Sequence, residues 1–151
     1  MNNLPFGFDR PEDSPGFLLW QTTIMWQRLI KKALESYNIS HAQFVIMASL
    51  MWFEFHQYNT TQILIVNHTK LDKMTVSKSL KKLVALRLVN RIEHESDTRA
   101  KNVTLTNKGK ELVNVLVPIV EAIDAKFFGP ATKLEERQLI TILAKLIRSD
   151  F

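Results

Sequence analysis

Asp97, Arg99 and Lys101 alternate within ESDTRAKNVTLTNKGKEL, residues 95–112, where a strand-like pattern gives way to a helix start. A guanidinium on a turn can hold phosphate or enter a narrow minor groove, where negative potential is concentrated. Asp97 repels phosphate, so its expected role is to aim Arg99 or Arg91, or to cap the turn. A second set lies in KMTVSKSLKKL, residues 73–83. At ~100° per residue, Thr75, Lys78, Lys81 and Lys82 share one helix face, with Met74 among them and Lys73 and Ser77 at its margin. Val76, Leu80, Leu83 and Val84 fall opposite. The polar face offers ammonium groups for phosphates, and the hydroxyls of Thr75 and Ser77 for base edges or phosphate, with ordinary early-helix residues as the plain alternative.

The charge distribution supports a polyanion partner. The chain has 151 residues and a net charge of +5. Residues 70–110 carry eleven Lys/Arg against four acids, or +7, while the remainder carries nine against eleven, or −2. Segregation of this kind is the footprint of a nucleic-acid partner, with a solvated charged face as the plain alternative.

Other chemistries find little support. With no cysteine, a thiol sensor, a disulfide framework and cysteine-bound zinc are excluded. His41, His56, His68 and His94 lack a metal-ligand spacing, so no metal is expected. No nucleophile elbow, HExxH, P-loop or glycine-rich cradle is present, so neither catalysis nor a cofactor is expected. The longest apolar run, Phe44–Phe53, ends at Glu54 and is too short to span a bilayer. MNNLPFGFDRPEDSPG has no basic segment leading into an apolar one, which fits a cytoplasmic chain. Trp20, Trp26 and Trp52 are candidates for lining an effector pocket, with core and interface packing as the alternative.

The elements that must position these residues follow from caps and periodicity. Residues 1–14 form an arm, and residues 15–151 a single domain. Ser14-Pro15 opens a helix to about Tyr37. Ser40 and Gln43 make a capping box, with Ile39 and Phe44 as hydrophobic staple, for a core helix over Phe44–Phe55. Asn59 or Thr60 caps a short helix around Thr61–Asn67. Asp72 caps the basic helix. The period then changes to two over LVNRIEHESDTRAKNVTLT, a hairpin with its loop at Glu95–Lys101. Thr106 caps a helix over Asn107–Phe127 with Pro118 inside it, and Thr132 with Glu135 opens the last, Lys133–Arg148.

Two helices across a short polar turn, followed directly by a hairpin, make a winged helix-turn-helix in a mainly α chain. The basic helix then lies in a major groove and the wing tip reaches the adjacent minor groove. The first helix and the last two carry more apolar surface than one lobe buries, and a symmetric dimer would cover it.

DTRAKNVTLTNKGKEL resembles the wing signature Asp-x-Arg-[Ala/Gly]…Leu-Thr-x-x-Gly of the multiple-antibiotic-resistance-type (MarR) regulators. NISHAQFVIMASL is similar to that family's second-helix opening, and MTVSKSLKKLVALRLVNR to its recognition helix and entry into the wing. The likeness spans roughly residues 14–148. It implies a cytoplasmic homodimer joined through helices at about 15–37 and 107–148, with a DNA-binding lobe at about 40–106. It further implies double-stranded DNA as partner, through a pseudo-palindromic operator, and a small aromatic or anionic effector. The function expected is that of a transcriptional repressor; the alternative is a winged-helix module that binds an acidic protein. The family usually has glycine where this chain has Arg87. A left-handed arginine is disfavoured by on the order of 1 kcal/mol, so a different helix ending, or recruitment of Arg87 to phosphate, is expected.

Overall fold

Side-chain N-caps open all six helices of the described residues. The computed structural model describes residues 4–93 and 101–149. The helices are α1 (Pro15–Leu34), α2 (His41–Phe55), α3 (Gln62–Thr69), α4 (Lys73–Ala85), α5 (Asn107–Phe127) and α6 (Lys133–Arg148). Their caps are Ser14, Ser40, Thr61, Asp72, Thr106 and Thr132, each accepting a backbone N–H of the first turn. Both expected capping boxes form. Between α4 and α5 stand β1 (Val89–Glu93) and β2 (Lys101–Leu105), antiparallel, with Val89 opposite Leu105 and Arg91 opposite Val103.

Four helical segments close on non-glycine residues in the left-handed region: Asn38, Gln57, Lys70 and Arg87, with φ of 56–62°. No described glycine has positive φ. Arg87 therefore takes the backbone conformation that glycine would take, contrary to the expectation of a different ending. The Leu88 N–H bonds to the Leu83 carbonyl at 3.0 Å and the Arg87 N–H to the Val84 carbonyl at 2.9 Å, a Schellman closure. Bonds from outside the helix hold it. The Thr106 hydroxyl donates to the Arg87 carbonyl at 2.7 Å, and Lys108 Nζ donates to the Leu86 carbonyl at 3.2 Å.

Helix bounds shift by a few residues, with α1 ending at Leu34 rather than about Tyr37 and α2 beginning at His41 rather than Phe44, and two further details differ from expectation. Thr61, not Asn59 or Thr60, caps α3. The Thr60 carbonyl is already engaged by the Val103 N–H at 3.0 Å, and Thr61 bridges Asn102, so this segment extends the wing's sheet. Val84 is partly exposed, and the inner face of α4 is Val76, Ser79, Leu80 and Leu83.

The core centres on α2, which packs against α1, α3, α4, α5 and β2. Ile46, Met47 and Leu50 meet Ile30 and Leu34 of α1, Ile65 of α3, Leu80 and Leu83 of α4, Val103 of the wing, and Val113 and Leu116 of α5 in one buried cluster. The helix α6 is different. It has no buried residue and no substantial packing partner among the described residues. Leu139, Ile142, Leu143 and Leu146 are all solvent-facing along one stripe.

Candidate DNA interface

The helix-turn-helix is α3, a three-residue turn and α4. Lys70, left-handed, ends α3 by donating its N–H to the Val66 carbonyl. Asp72 begins α4: one carboxylate oxygen accepts the Thr75 N–H at 2.8 Å and the other the Thr75 hydroxyl at 2.7 Å. These bonds hold the Asp72 carboxyl below its ordinary pKa, because they favour the charged form.

Lys73, Met74, Ser77, Lys78, Lys81 and Lys82 are all exposed, and Thr75 is half-buried. Met74 projects into solvent, at 66% exposure. Among the described residues no acid lies within ion-pairing distance of these lysines. The expected face is thus assembled as one surface, backed by the buried Val76, Leu80 and Leu83.

The wing root is equally well defined. Gly109, in the first turn of α5, runs so close to the segment entering β1 that a Cβ there would lie 2.1 Å from the Leu88 carbonyl oxygen. Only glycine permits that approach. Thr106 is engaged through backbone and side chain: its N–H donates to the Leu88 carbonyl, and its hydroxyl accepts from Gly109 N–H and donates to Arg87. Arg91 sits half-buried on β1. Asp97 and Arg99 lie outside the described residues, as does the side chain of Lys101, whose backbone starts β2.

Glu54 is a site residue not anticipated from sequence. Its Oε1 accepts the Leu105 N–H at 2.8 Å, and its Oε2 lies 3.4 Å from Lys110 Nζ. It ties the end of α2 to both β2 and α5. The available signal was a lone acid ending an otherwise apolar helix.

The three tryptophans are not brought together. Trp20 is 64% exposed near the start of α1. Trp52, on α2, stacks on His56 with ring centres 3.8 Å apart. Trp26 alone sits in a polar niche, where its Nε1–H donates to Asp124 at 2.7 Å and its ring meets His41 edge-on at 5.0 Å. Burial lowers the His41 pKa, with Asp124 pulling the other way. This niche joins α1, the start of α2 and α5. A separate apolar hollow of about 510 Å³, lined by Leu4, Phe6, Phe8 and Phe17 among others, shares no residue with the α4 surface. Among the described residues no three His, Asp or Glu converge as metal ligands, and no helix is long and apolar enough to cross a membrane.

Comparison with known proteins follows the same outline. Residues 35–122 match the ArnR1-like, winged-helix domain family. The HTH-type transcriptional regulator YdcH of Bacillus subtilis (strain 168) is 38% identical over 128 residues, covering 85% of this chain and 87% of that protein. The structure of Bordetella bronchiseptica BpsR, whose DNA binding is regulated by 6-hydroxynicotinic acid, superposes with a TM-score of 0.83 at 26% identity, over 95% of this chain and 100% of that one. A MarR variant from E. coli complexed with operator DNA shares the fold, with a TM-score of 0.75 at 22% identity over 87% of this chain and 91% of that one.

Proposed function

The chain belongs to the MarR family of winged-helix transcriptional regulators, and from that premise we propose that it represses transcription by binding a pseudo-palindromic operator as a homodimer in the cytoplasm. As a DNA-binding regulator it is not an enzyme. The helix α4 enters the major groove, with Lys78, Lys81 and Lys82 on phosphates and Met74, Thr75 and Ser77 toward base edges. Arg99 and Lys101 reach the minor groove, with Asp97 and Arg91 as orienters. One observation carries this reading: a row of exposed lysines, with no ion-pair partner among the described residues, on the outer face of a helix whose inner face is locked into the core.

Dimerisation through α1, α5 and α6 is proposed from the apolar stripe of α6, which finds no cover among the described residues of one chain. A C2 partner would bury the same stripe on both copies. The operator DNA bound by the E. coli MarR variant supports duplex DNA as the partner.

Effector release is proposed at the Trp26–His41–Asp124 niche. BpsR responds to 6-hydroxynicotinic acid, a small aromatic acid. A ligand of that class that competes for the Trp26 N–H or pairs with His41 would alter how α1 and α5 hold the start of α2.

Selection of bound duplexes from a random pool tests the proposal. An enriched two-fold-related site, bound with an affinity that falls steeply as salt rises, is the expected result. Absence of duplex binding at low salt would overturn it and favour the protein-interaction module.

A further inference from the structure

We propose that Asp72 is a specificity-determining residue, which orients the Thr75 hydroxyl so that α4 selects a base bearing an exocyclic amine, adenine or cytosine, at one position of each half-site. The inference rests on the reading of α4 as the recognition helix. A hydroxyl has one proton and two acceptor lone pairs. In Thr75 that proton is given to Asp72 Oδ2 at 2.7 Å. What remains for the groove is acceptor capacity alone. In the major groove, adenine N6 and cytosine N4 are the donors, whereas guanine O6 and N7 and thymine O4 are acceptors. Thr75 so held therefore favours the first pair and repels the second.

Asp72 acts in the same sense. It is exposed, and among the described residues no cation pairs with it. Each of its oxygens keeps a lone pair beyond the bond to Thr75, and a carboxylate accepts from cytosine N4. Its charge also occupies the end of α4 where backbone N–H groups would otherwise attract a phosphate. The first turn of the helix is thereby turned from phosphate holding to base reading, and phosphate is left to Lys78, Lys81 and Lys82 further along.

The exchange Asp72→Asn separates this role from capping, because asparagine caps a helix about as well as aspartate. Its oxygen keeps the Thr75 N–H. Its amide then faces the Thr75 hydroxyl as a donor, which sends the hydroxyl proton outward. Full-length wild type, Asp72→Asn and Thr75→Val are each put through selection from a random duplex pool, and their affinities for the wild-type site and for an unrelated duplex are measured.

The expected result is that Asp72→Asn admits guanine or thymine at a position where wild type demands adenine or cytosine. It should lose on the order of tenfold in affinity for the wild-type site yet bind the unrelated duplex more tightly, since one negative charge is gone. A purely structural role would weaken both. Thr75→Val should lose the preference at that same position and no other. Identical base preferences for wild type and Asp72→Asn would overturn the assignment while leaving the proposed function standing. Failure of wild type to enrich any site would overturn both.

Discussion

The Thr106 hydroxyl donates a 2.7 Å hydrogen bond to the carbonyl of Arg87, tying the cap of α5 to the residue that ends α4. The basic helix α4, the wing and α5 thus meet at one pair of residues. The bond helps to hold Arg87 at φ 62°, where its Cβ is strained. Arg87→Gly should remove that strain and stabilise the fold by about 0.5–1 kcal/mol, less the extra chain entropy of glycine. Urea unfolding at fixed protein concentration measures this; clear destabilisation would show that the arginine side chain compensates for its backbone.

Gly109→Ala should act in the opposite direction. The added methyl would meet a backbone oxygen rather than a flexible side chain, so α5 must move off β1. Overpacking of this kind costs roughly 1–3 kcal/mol or more. The wing should shift with it, and operator affinity should fall further than the stability loss alone explains. An alanine variant with unchanged melting and binding would contradict the close approach.

Glu54→Ala should expose how the wing is anchored. It leaves the Leu105 N–H without its acceptor and Lys110 without its counter-charge. A buried unsatisfied donor costs about 1–3 kcal/mol. Glu54→Gln keeps an acceptor oxygen and should retain most of the stability. Amide hydrogen exchange at Leu105 is the direct readout, and it should quicken in the alanine variant and stay slow in the glutamine one. Equal exchange in all three would remove Glu54 from the account.

His41 makes stability depend on pH. Its folded pKa is lowered by burial, against a partial opposing pull from Asp124. An unfolded histidine takes up a proton near its ordinary value of about 6.5. Below that value the unfolded chain binds the proton more readily than the folded one, so stability falls as pH falls. His41→Gln should flatten this part of the stability profile. An unchanged slope between pH 7 and 5 would place the titration elsewhere.

Much of this architecture was legible in the sequence, because its signals are local. Ser14, Ser40, Asp72, Thr106 and Thr132 cap helices through contacts three residues away, and the basic face of α4 follows from 3.6-residue periodicity. What sequence could not place depends on distant partners. Glu54 finds Leu105 fifty-one residues on, and Trp26 finds Asp124 after ninety-eight. Thr60 has the residue type of a cap, but its carbonyl pairs with the Val103 N–H and belongs to the sheet. The helix ending at Arg87 departs from expectation for the same reason: intrinsic preference disfavours its conformation, and tertiary bonds from Thr106 and Lys108 hold the helix end in place.

DNA binding through α4 requires its lysines to neutralise phosphates. The most direct measurement is the slope of log affinity against log salt for an enriched operator duplex, compared between wild type and the Lys78→Ala/Lys81→Ala double variant. Each phosphate contact contributes roughly 0.9 to that slope, and a dimer would lose both copies of each contact. The slope should be shallower by about 3 to 4 in the double variant, with melting unchanged because both side chains are exposed. An unchanged slope would contradict it and reduce the outer face of α4 to solvated surface.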